Sequence, residues 1–215
     1  MTRPLRTSAL LILLATAACG GAQGQTTPAP LPADAQTVPV GFGRLNQDDL
    51  SLKWAVGDLE IRFLPLDERM LRLLANDGYR AMHELRESRR ARIDTIAQQH
   101  GTAEPGVALI TFFAARAGQQ YQPQDIALSV QNQEFRAIGI IPLSANFTNQ
   151  QLPVRGQASA LYVFEMPIPV TQEFTLSYQG ARTDGWKDRV TTINRERDRV
   201  MLRARSAQAD STRTP

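Results

Sequence analysis

Cysteine and histidine are nearly absent from this 215-residue chain, which contains one cysteine, Cys19, and two histidines, His83 and His100. A single cysteine has no partner for an intramolecular disulfide, so the fold depends on a packed core. The two histidines lie 17 positions apart on one predicted helix, and a zinc site needs more ligands than they supply. We therefore predict no metal and no cofactor, and we interpret both histidines as ordinary helix residues.

Recognisable catalytic patterns are also lacking. No Gly-x-Ser-x-Gly nucleophile elbow occurs. The segment Gly41-Phe-Gly43 is a lone Gly-x-Gly, without the further glycine of a phosphate-binding loop. Glu60, Glu134 and Glu165 fit solvent-facing strand positions better than a catalytic pair. The sequence thus predicts a protein that is not an enzyme and has no catalytic residue.

No apolar run near the N-terminus is long enough to span a bilayer. The run from Ala9 to Ala15 is far shorter than the ~20 residues that a spanning helix needs. Arg3 and Arg6 precede it, and the small residues from Thr16 to Gly20 follow it. A short basic segment, an apolar run and small residues, in that order, are typical of a secretory signal peptide.

Cys19 ends the segment Leu14-Ala15-Thr16-Ala17-Ala18-Cys19. This segment resembles the lipobox of bacterial lipoproteins, in which the cysteine is lipidated and becomes the first residue after cleavage. The resemblance implies a signal peptide at 1–18, lipid attachment at Cys19 and a membrane-anchored, exported domain that faces the periplasm or the cell surface. Gly20 stands where Asp would favour the inner membrane, so the resemblance favours the outer membrane if the bacterium has one. Ordinary signal-peptidase cleavage near Ala17 or Ala22 is the alternative.

The charge balance excludes one further class of protein. The chain has 24 basic and 21 acidic residues, so removal of Arg3 and Arg6 with the signal peptide leaves 22 against 21, a net charge of +1. A nucleic-acid-binding domain normally carries a strongly basic patch. We therefore predict no nucleic-acid partner.

The rest of the chain divides by composition. Residues 19–46 begin with the lipidated cysteine and are rich in Gly, Gln, Thr, Pro and Ala, which predicts a flexible tether. Val38 to Phe42 is a candidate for a short edge strand within it. Residues 47–205 are predicted to form one β domain, and residues 206–215 are predicted to be a disordered tail.

Seven alternating or apolar runs, separated by turn residues, predict seven strands. The predicted strands are 50–56, 59–64, 107–115, 126–131, 134–141, 158–165 and 174–179. The run at 107–115 is apolar on both faces, and we expect the helices before it to cover its outer face. A change in the phase of the apolar positions predicts a bulge near Gly139.

Two helical segments accompany the strands. The insert at 67–100 is predicted as a short helix followed by a longer one from about 79 to 99, with Asn76-Asp77-Gly78 as the interruption. Arg89 occupies a position where the apolar stripe of the longer helix expects an apolar residue. A C-terminal helix is predicted at 186–205, docked through Trp186.

The run from Val107 to Gly180 resembles the immunoglobulin-like domains of bacterial envelope lipoproteins, although it has no inter-sheet cysteine pair. The resemblance implies a mainly β fold with α additions. The expected architecture is a seven-stranded immunoglobulin-like antiparallel β-sandwich with an inserted helical hairpin and a C-terminal helix.

The densest basic run lies on the predicted insert and contains Arg86, Arg89, Arg90 and Arg92. We interpret these four arginines as a candidate interaction surface for anionic lipid head groups, polysaccharide or an acidic partner. A solvated helix face without a partner is the alternative.

Three functions are compatible with these features. The first is a membrane-anchored, non-catalytic binding or scaffolding module for another envelope protein. The second is a carrier or sensor of a small or lipidic ligand, which requires an apolar cavity between helices and sheet. The third is an envelope hydrolase with a cryptic site, which requires His83 or His100 within hydrogen-bond reach of a serine and a carboxylate.

Overall fold

The computed structural model describes residues 38–211, with side chains described for residues 38–209. These residues belong to one compact unit. The predicted signal peptide, Cys19 and the greater part of the predicted tether lie outside the described residues, so those predictions stay predictions.

Residues 38–211 form ten strands and five α-helices. The strands are β1 Leu52–Val56, β2 Leu59–Pro65, β3 Gly106–Ala114, β4 Gln119–Gln120, β5 Ala127–Val130, β6 Gln133–Pro142, β7 Gln151–Leu152, β8 Gln157–Phe164, β9 Thr175–Tyr178 and β10 Ala181–Thr183. The helices are α1 Gln47–Leu50, α2 Glu68–Leu71, α3 Asn76–Ser88, α4 Arg90–Gln99 and α5 Trp186–Ser211. Eight strands form one antiparallel sheet in the order β1-β2-β3-β8-β6-β5-β9-β10, and β4 pairs with β7 separately.

The seven predicted strands correspond to β1, β2, β3, β5, β6, β8 and β9, each within two residues of its predicted bounds. The sequence missed β4, β7 and β10, which are only two or three residues long and too short for an alternating pattern. The mainly β class with a C-terminal helix is confirmed. The immunoglobulin-like strand order stays a prediction, because the observed sheet is continuous and nearly closed.

The sheet bends within β6. Residues before Ala137 pair with β5, residues after it pair with β8, and the register shifts between Ala137 and Gly139. This shift confirms the predicted bulge near Gly139. The bend brings strands that are distant in the sheet together across the core, since the rings of Phe112 on β3 and Tyr178 on β9 lie 5.9 Å apart.

The two edges of the sheet approach each other at one end. Leu52 begins the edge strand β1 and packs on Gly185, which follows the other edge strand, β10. A Cβ atom at Gly185 would lie 2.9 Å from the Cδ1 atom of Leu52, so a larger residue there would displace Leu52. The near closure shortens the exposed edges of the sheet.

The helical insert differs from the prediction in two ways. Asn76, Asp77 and Gly78 form the first turn of α3 instead of interrupting a helix. Asp77 suits that place, because a negative charge is favourable at a helix N-terminus. The predicted helix at 79–99 is divided at Arg89, whose backbone (φ −112°, ψ 3°) separates α3 from α4. The apolar stripe fails at the same residue.

Helix α4 covers part of the sheet, though not the part that was expected. Its main contacts are with β6 and β8 rather than with β3. On the outer face of β3, Leu109 and Phe113 stay half-buried. The guanidinium of Arg62 lies 5.3 Å from the centre of the Phe113 ring and shields it in place of a helix.

Helix α5 docks as predicted through Trp186, which is fully buried and stacks on Phe174 with ring centres 4.7 Å apart. The helix continues to Ser211, so it includes the first six residues of the predicted disordered tail. Its apolar positions beyond 205 are few, and for that reason the sequence pattern ended early.

Residues 38–46, here called the N-terminal lead, differ from the predicted tether and edge strand. Val38 is 3% exposed, and Leu45 forms an isolated parallel bridge with Leu74. The tether was predicted to continue to residue 46 because the residues before Val38 have almost no large apolar side chain. Val38, Phe42 and Leu45 instead pack in or against the core of the folded domain.

Candidate functional site

A half-buried carboxylate, Glu68, joins helices α2 and α3. Its Oε1 atom lies 2.7 Å from Nδ1 of His83. Its Oε2 atom accepts hydrogen bonds from Nε of Arg72 at 3.1 Å and from the hydroxyl of Tyr79 at 3.3 Å. These four residues, here called the Glu68 cluster, bring together groups that the sequence places 15 positions apart.

Local sequence explains how Glu68 reaches this place. Asp67 precedes it and caps α2, because the Asp67 Oδ1 atom accepts from the backbone N–H of Arg69 at 2.9 Å. Glu68 then occupies the first turn, and Arg72 follows at the i,i+4 spacing that favours an ion pair. The sequence shows this spacing, so the Glu68–Arg72 pair was open to prediction.

The electrostatics of the cluster favour an ionised Glu68. Burial raises the pKa of the Glu68 carboxyl, but the hydrogen bonds from His83 and Arg72 outweigh burial and hold this pKa below its usual value. Burial raises the pKa of Tyr79, and the adjacent Glu68 charge raises it further. The cluster thus holds a stable carboxylate rather than a proton-donating acid.

The Glu68 cluster meets only part of what a hydrolase would need. His83 reaches a carboxylate, and its ring stacks on Tyr79 with centres 5.4 Å apart. Within residues 38–209, no serine forms a hydrogen bond with either histidine ring, and His100 is exposed. The same residues contain no group of three His, Cys, Asp or Glu side chains placed to hold a metal ion. The contacts of the cluster are those of a junction between helices.

Two arginines fasten the N-terminal lead to the domain. Nη1 of Arg72 donates to the Val38 carbonyl at 3.1 Å, and Nη1 of Arg203 donates to the Phe42 carbonyl at 2.7 Å. Arg203 is itself held by Glu196 at 2.8 Å. We call Arg72 and Arg203 the clamp arginines. They connect the start of the described chain to α2 and to α5.

Glycine allows the lead to lie close to the turn after α2. A Cβ atom at Gly43 would overlap the Leu73 carbonyl, so glycine is required at this close approach. Backbone hydrogen bonds fix the same contact, from Leu45 N to Leu73 O at 3.0 Å and from Ala75 N to Leu45 O at 2.9 Å. The sequence displayed Gly41-Phe-Gly43, but nothing in it indicated Leu73 as the partner.

The four arginines of the predicted interaction surface have different surroundings. Arg86 is half-buried, and its Nη1 atom donates to the Leu66 carbonyl at 3.0 Å. Arg89, Arg90 and Arg92 are exposed at the junction of α3 and α4. We call these three residues the arginine surface and assign Arg86 to the attachment of α3.

The arginine surface is incompletely neutralised. Arg90 pairs with Glu87 at 3.2 Å and more loosely with Asp94 at 3.8 Å. Among the described residues, neither Arg89 nor Arg92 has an ion-pair partner. Exposed pairs such as Arg90–Glu87 contribute little to stability. The arginines of this surface are therefore available to an outside ligand.

A shallow depression of about 350 Å³ lies on the part of the sheet that contains β6, β9 and β10. Charged and polar side chains line it, among them Arg136 and Arg182. An apolar ligand would need the opposite lining. Between helices and sheet, Ile96 of α4 packs directly on Gly139 of β6, so the interface is filled at that point.

Comparison with known proteins finds no matching family model, no matching curated protein and no matching solved structure. Across the described part of the chain, every helix is too short or too polar to cross a bilayer. The functional conclusions therefore depend on the residues and their geometry.

Proposed function

We propose that the protein is an exported, membrane-anchored lipoprotein whose β domain is a non-catalytic binding or scaffolding module for another envelope component. The lipobox-like segment that ends at Cys19 supports the anchor. Two or three acyl chains at one cysteine hold a protein to a membrane firmly, whereas one chain does not. The domain faces the periplasm or the cell surface, with the outer membrane favoured by Gly20.

The fixed N-terminal lead is the structural observation that supports this function best. A chain that enters its domain through a loose segment leaves the domain free to turn. Here the entry is held by the clamp arginines and by the backbone contacts of Leu45. The lead therefore fixes the point at which the segment that carries the proposed anchor meets the domain, beside α2 and α5.

The proposal includes the finer architecture. The nearly closed sheet acts as a two-layered, immunoglobulin-like scaffold in which the bend in β6 separates the layers. The ring contacts of Phe112 with Tyr178, and of Phe63 with Phe174 at 6.0 Å, support packing of the two layers across one core. The Ile96–Gly139 contact supports a filled scaffold over a ligand carrier.

Site-specific photo-crosslinking in the native envelope tests for a partner. Val154 and Leu202, 58% and 61% exposed, are the most exposed large apolar residues of the described chain. Both side chains are accessible to a contacting protein. A photoreactive residue is placed in the full chain at one of these positions. Thr191, an exposed polar residue of α5, is the control position.

We expect a discrete adduct with an envelope protein from Val154 or Leu202 and none from Thr191. Substitution of Cys19 by Ser should weaken the adduct, because the unanchored domain is diluted away from its partner. A chain that gives no adduct from either apolar position contradicts the scaffolding function.

A further inference from the structure

A path of polar contacts joins the entry of the N-terminal lead to helix α3, at whose C-terminal end the arginine surface begins. The Val38 carbonyl accepts from Arg72, Arg72 bonds to Glu68, and Glu68 bonds to His83. Arg89 follows His83 by six positions along α3, which is about 9 Å at 1.5 Å per residue. The lead entry is thereby tied to the helix whose C-terminal end carries the arginine surface.

The anchor lies close to this entry along the chain. Val38 comes nineteen positions after Cys19. Even a fully extended chain of that length spans at most about 65 Å. A domain confined so close to a membrane has a high effective concentration at the bilayer surface, so contacts that are weak in solution become populated.

We propose that the arginine surface binds the anionic phosphate head groups of the membrane that holds the anchor, so that the domain rests on the bilayer with this face down. The inference depends on the proposed lipid anchor and names the partner of the interaction surface.

The chemistry of the surface fits phosphate. A guanidinium presents a planar set of donors that matches two phosphate oxygens, and Arg89 and Arg92 have no competing carboxylate among the described residues. Glu87 and Asp94 lie nearby and partly neutralise Arg90. The affinity of the unanchored domain for lipid should accordingly be low, and attachment at the membrane supplies the remaining binding free energy.

A single-cysteine chain permits a direct test. The full chain is coupled through Cys19 to a maleimide lipid in vesicles, which anchors it whether or not the cell lipidates that residue. A fluorescent amino acid replaces Ala91, which is exposed between Arg90 and Arg92. Energy transfer to a labelled head group then reports how close the arginine surface lies to the bilayer.

On vesicles that contain phosphatidylglycerol we expect high energy transfer, and on pure phosphatidylcholine vesicles low transfer. Removal of two arginine contacts should lower the ratio of docked to undocked domain by roughly 30-fold, the equivalent of about 2 kcal/mol. The double substitution Arg89→Glu/Arg92→Glu should therefore abolish the difference between the vesicles. Salt at 0.5 M should reduce it in the unsubstituted surface, because the Debye length falls to roughly 4 Å.

Arg195→Glu/Arg205→Glu is the matched control, because it makes the same charge change at two exposed arginines of α5. This control should keep the high transfer. Equal transfer on both kinds of vesicle overturns the inference, and so does full transfer by the Arg89→Glu/Arg92→Glu chain. Since the coupling supplies the anchor chemically, these results are independent of whether Cys19 is lipidated in the cell.

Discussion

Glu196 and Arg203 form an ion pair at 2.8 Å on the buried face of α5. Glu196 is 3% exposed and is the one charged residue in the buried class among the described residues. Arg203 also donates to the Phe42 carbonyl, so the pair ties α5 to the N-terminal lead. A buried carboxylate without a partner is costly, and the position of the lead is therefore coupled to the stability of α5.

Arg203→Met should destabilise the protein by about 2–3 kcal/mol, because Glu196 then stays buried with only Arg199 at 3.8 Å. This expectation is lower than for a fully buried pair, since the Arg203 side chain is 27% exposed. The double substitution Glu196→Met/Arg203→Met should recover most of the loss. Urea unfolding of the unsubstituted chain and the two variants measures the effect. A cost below about 0.5 kcal/mol for Arg203→Met would show that the pair does not hold the lead.

Gly139→Ala should destabilise the protein by about 1–3 kcal/mol, because its Cβ would lie 2.7 Å from the Cδ1 and Cγ2 atoms of Ile96. Gly78→Ala is the matched control. Its Cβ would lie 3.6 Å from Leu74, an ordinary contact, and alanine favours the first turn of α3, so we expect a gain of about 0.5 kcal/mol.

The Gly139→Ala penalty should become smaller in an Ile96→Ala background, where the crowding is removed. Thermal unfolding of all four chains measures the coupling. An unchanged penalty in that background would place the strain elsewhere than at the contact of α4 with β6.

Glu68→Gln should remove part of the pH dependence of stability. The folded-state pKa of Glu68 lies below its usual value of 4.5, since the His83 and Arg72 hydrogen bonds outweigh the effect of burial. A lowered pKa stabilises the fold above pH 4.5, and this contribution is lost as the pH falls through the folded-state pKa. The stability difference between the two chains should thus be largest at neutral pH and shrink below pH 4.5. A difference that is constant from pH 3 to pH 7 would contradict this account.

Alkaline titration should find no tyrosine that ionises at its ordinary pKa of 10. Burial raises the pKa of all four tyrosines, and that of Tyr121 reaches about 12. Because the folded-state values exceed the unfolded one, their stabilisation is complete below pH 10 and is lost as the pH rises toward 12. For the three buried tyrosines, Tyr121, Tyr162 and Tyr178, phenolate absorbance should appear together with the loss of near-ultraviolet circular dichroism. A tyrosine step near pH 10 with the native spectrum intact would be contrary to the buried core.

The sequence predicted the features whose causes are local. Alternation of apolar residues located seven strands, and the failed apolar stripe marked Arg89 as an unusual position. It did not show that α3 ends at Ser88 and that Arg89 separates α3 from α4, because no glycine or proline marks that break. The spacing of Glu68 and Arg72 was visible too, yet their attachment to Val38 was not.

Contacts between distant segments were beyond the sequence patterns. Arg203 and the Phe42 carbonyl are separated by 161 positions, and a backbone acceptor has no residue-type signature. The lead was predicted as the end of a tether because the residues before it have that composition, and the sequence did not indicate its contacts with α2 and α5. The packing of α4 on β6 and β8 likewise depends on Gly139 of β6, which leaves room for the Ile96 side chain.

Membrane fractionation of cells that produce the full chain or its Cys19→Ser form tests the central claim most directly. Ala22→Ser is the matched control, because it introduces the same side chain three positions later. The proposed anchor predicts that the unsubstituted chain and Ala22→Ser sediment with membranes, whereas Cys19→Ser appears in the soluble exported fraction. Cys19→Ser that stays with the membranes to the same extent as the unsubstituted chain would contradict lipid anchoring at this residue.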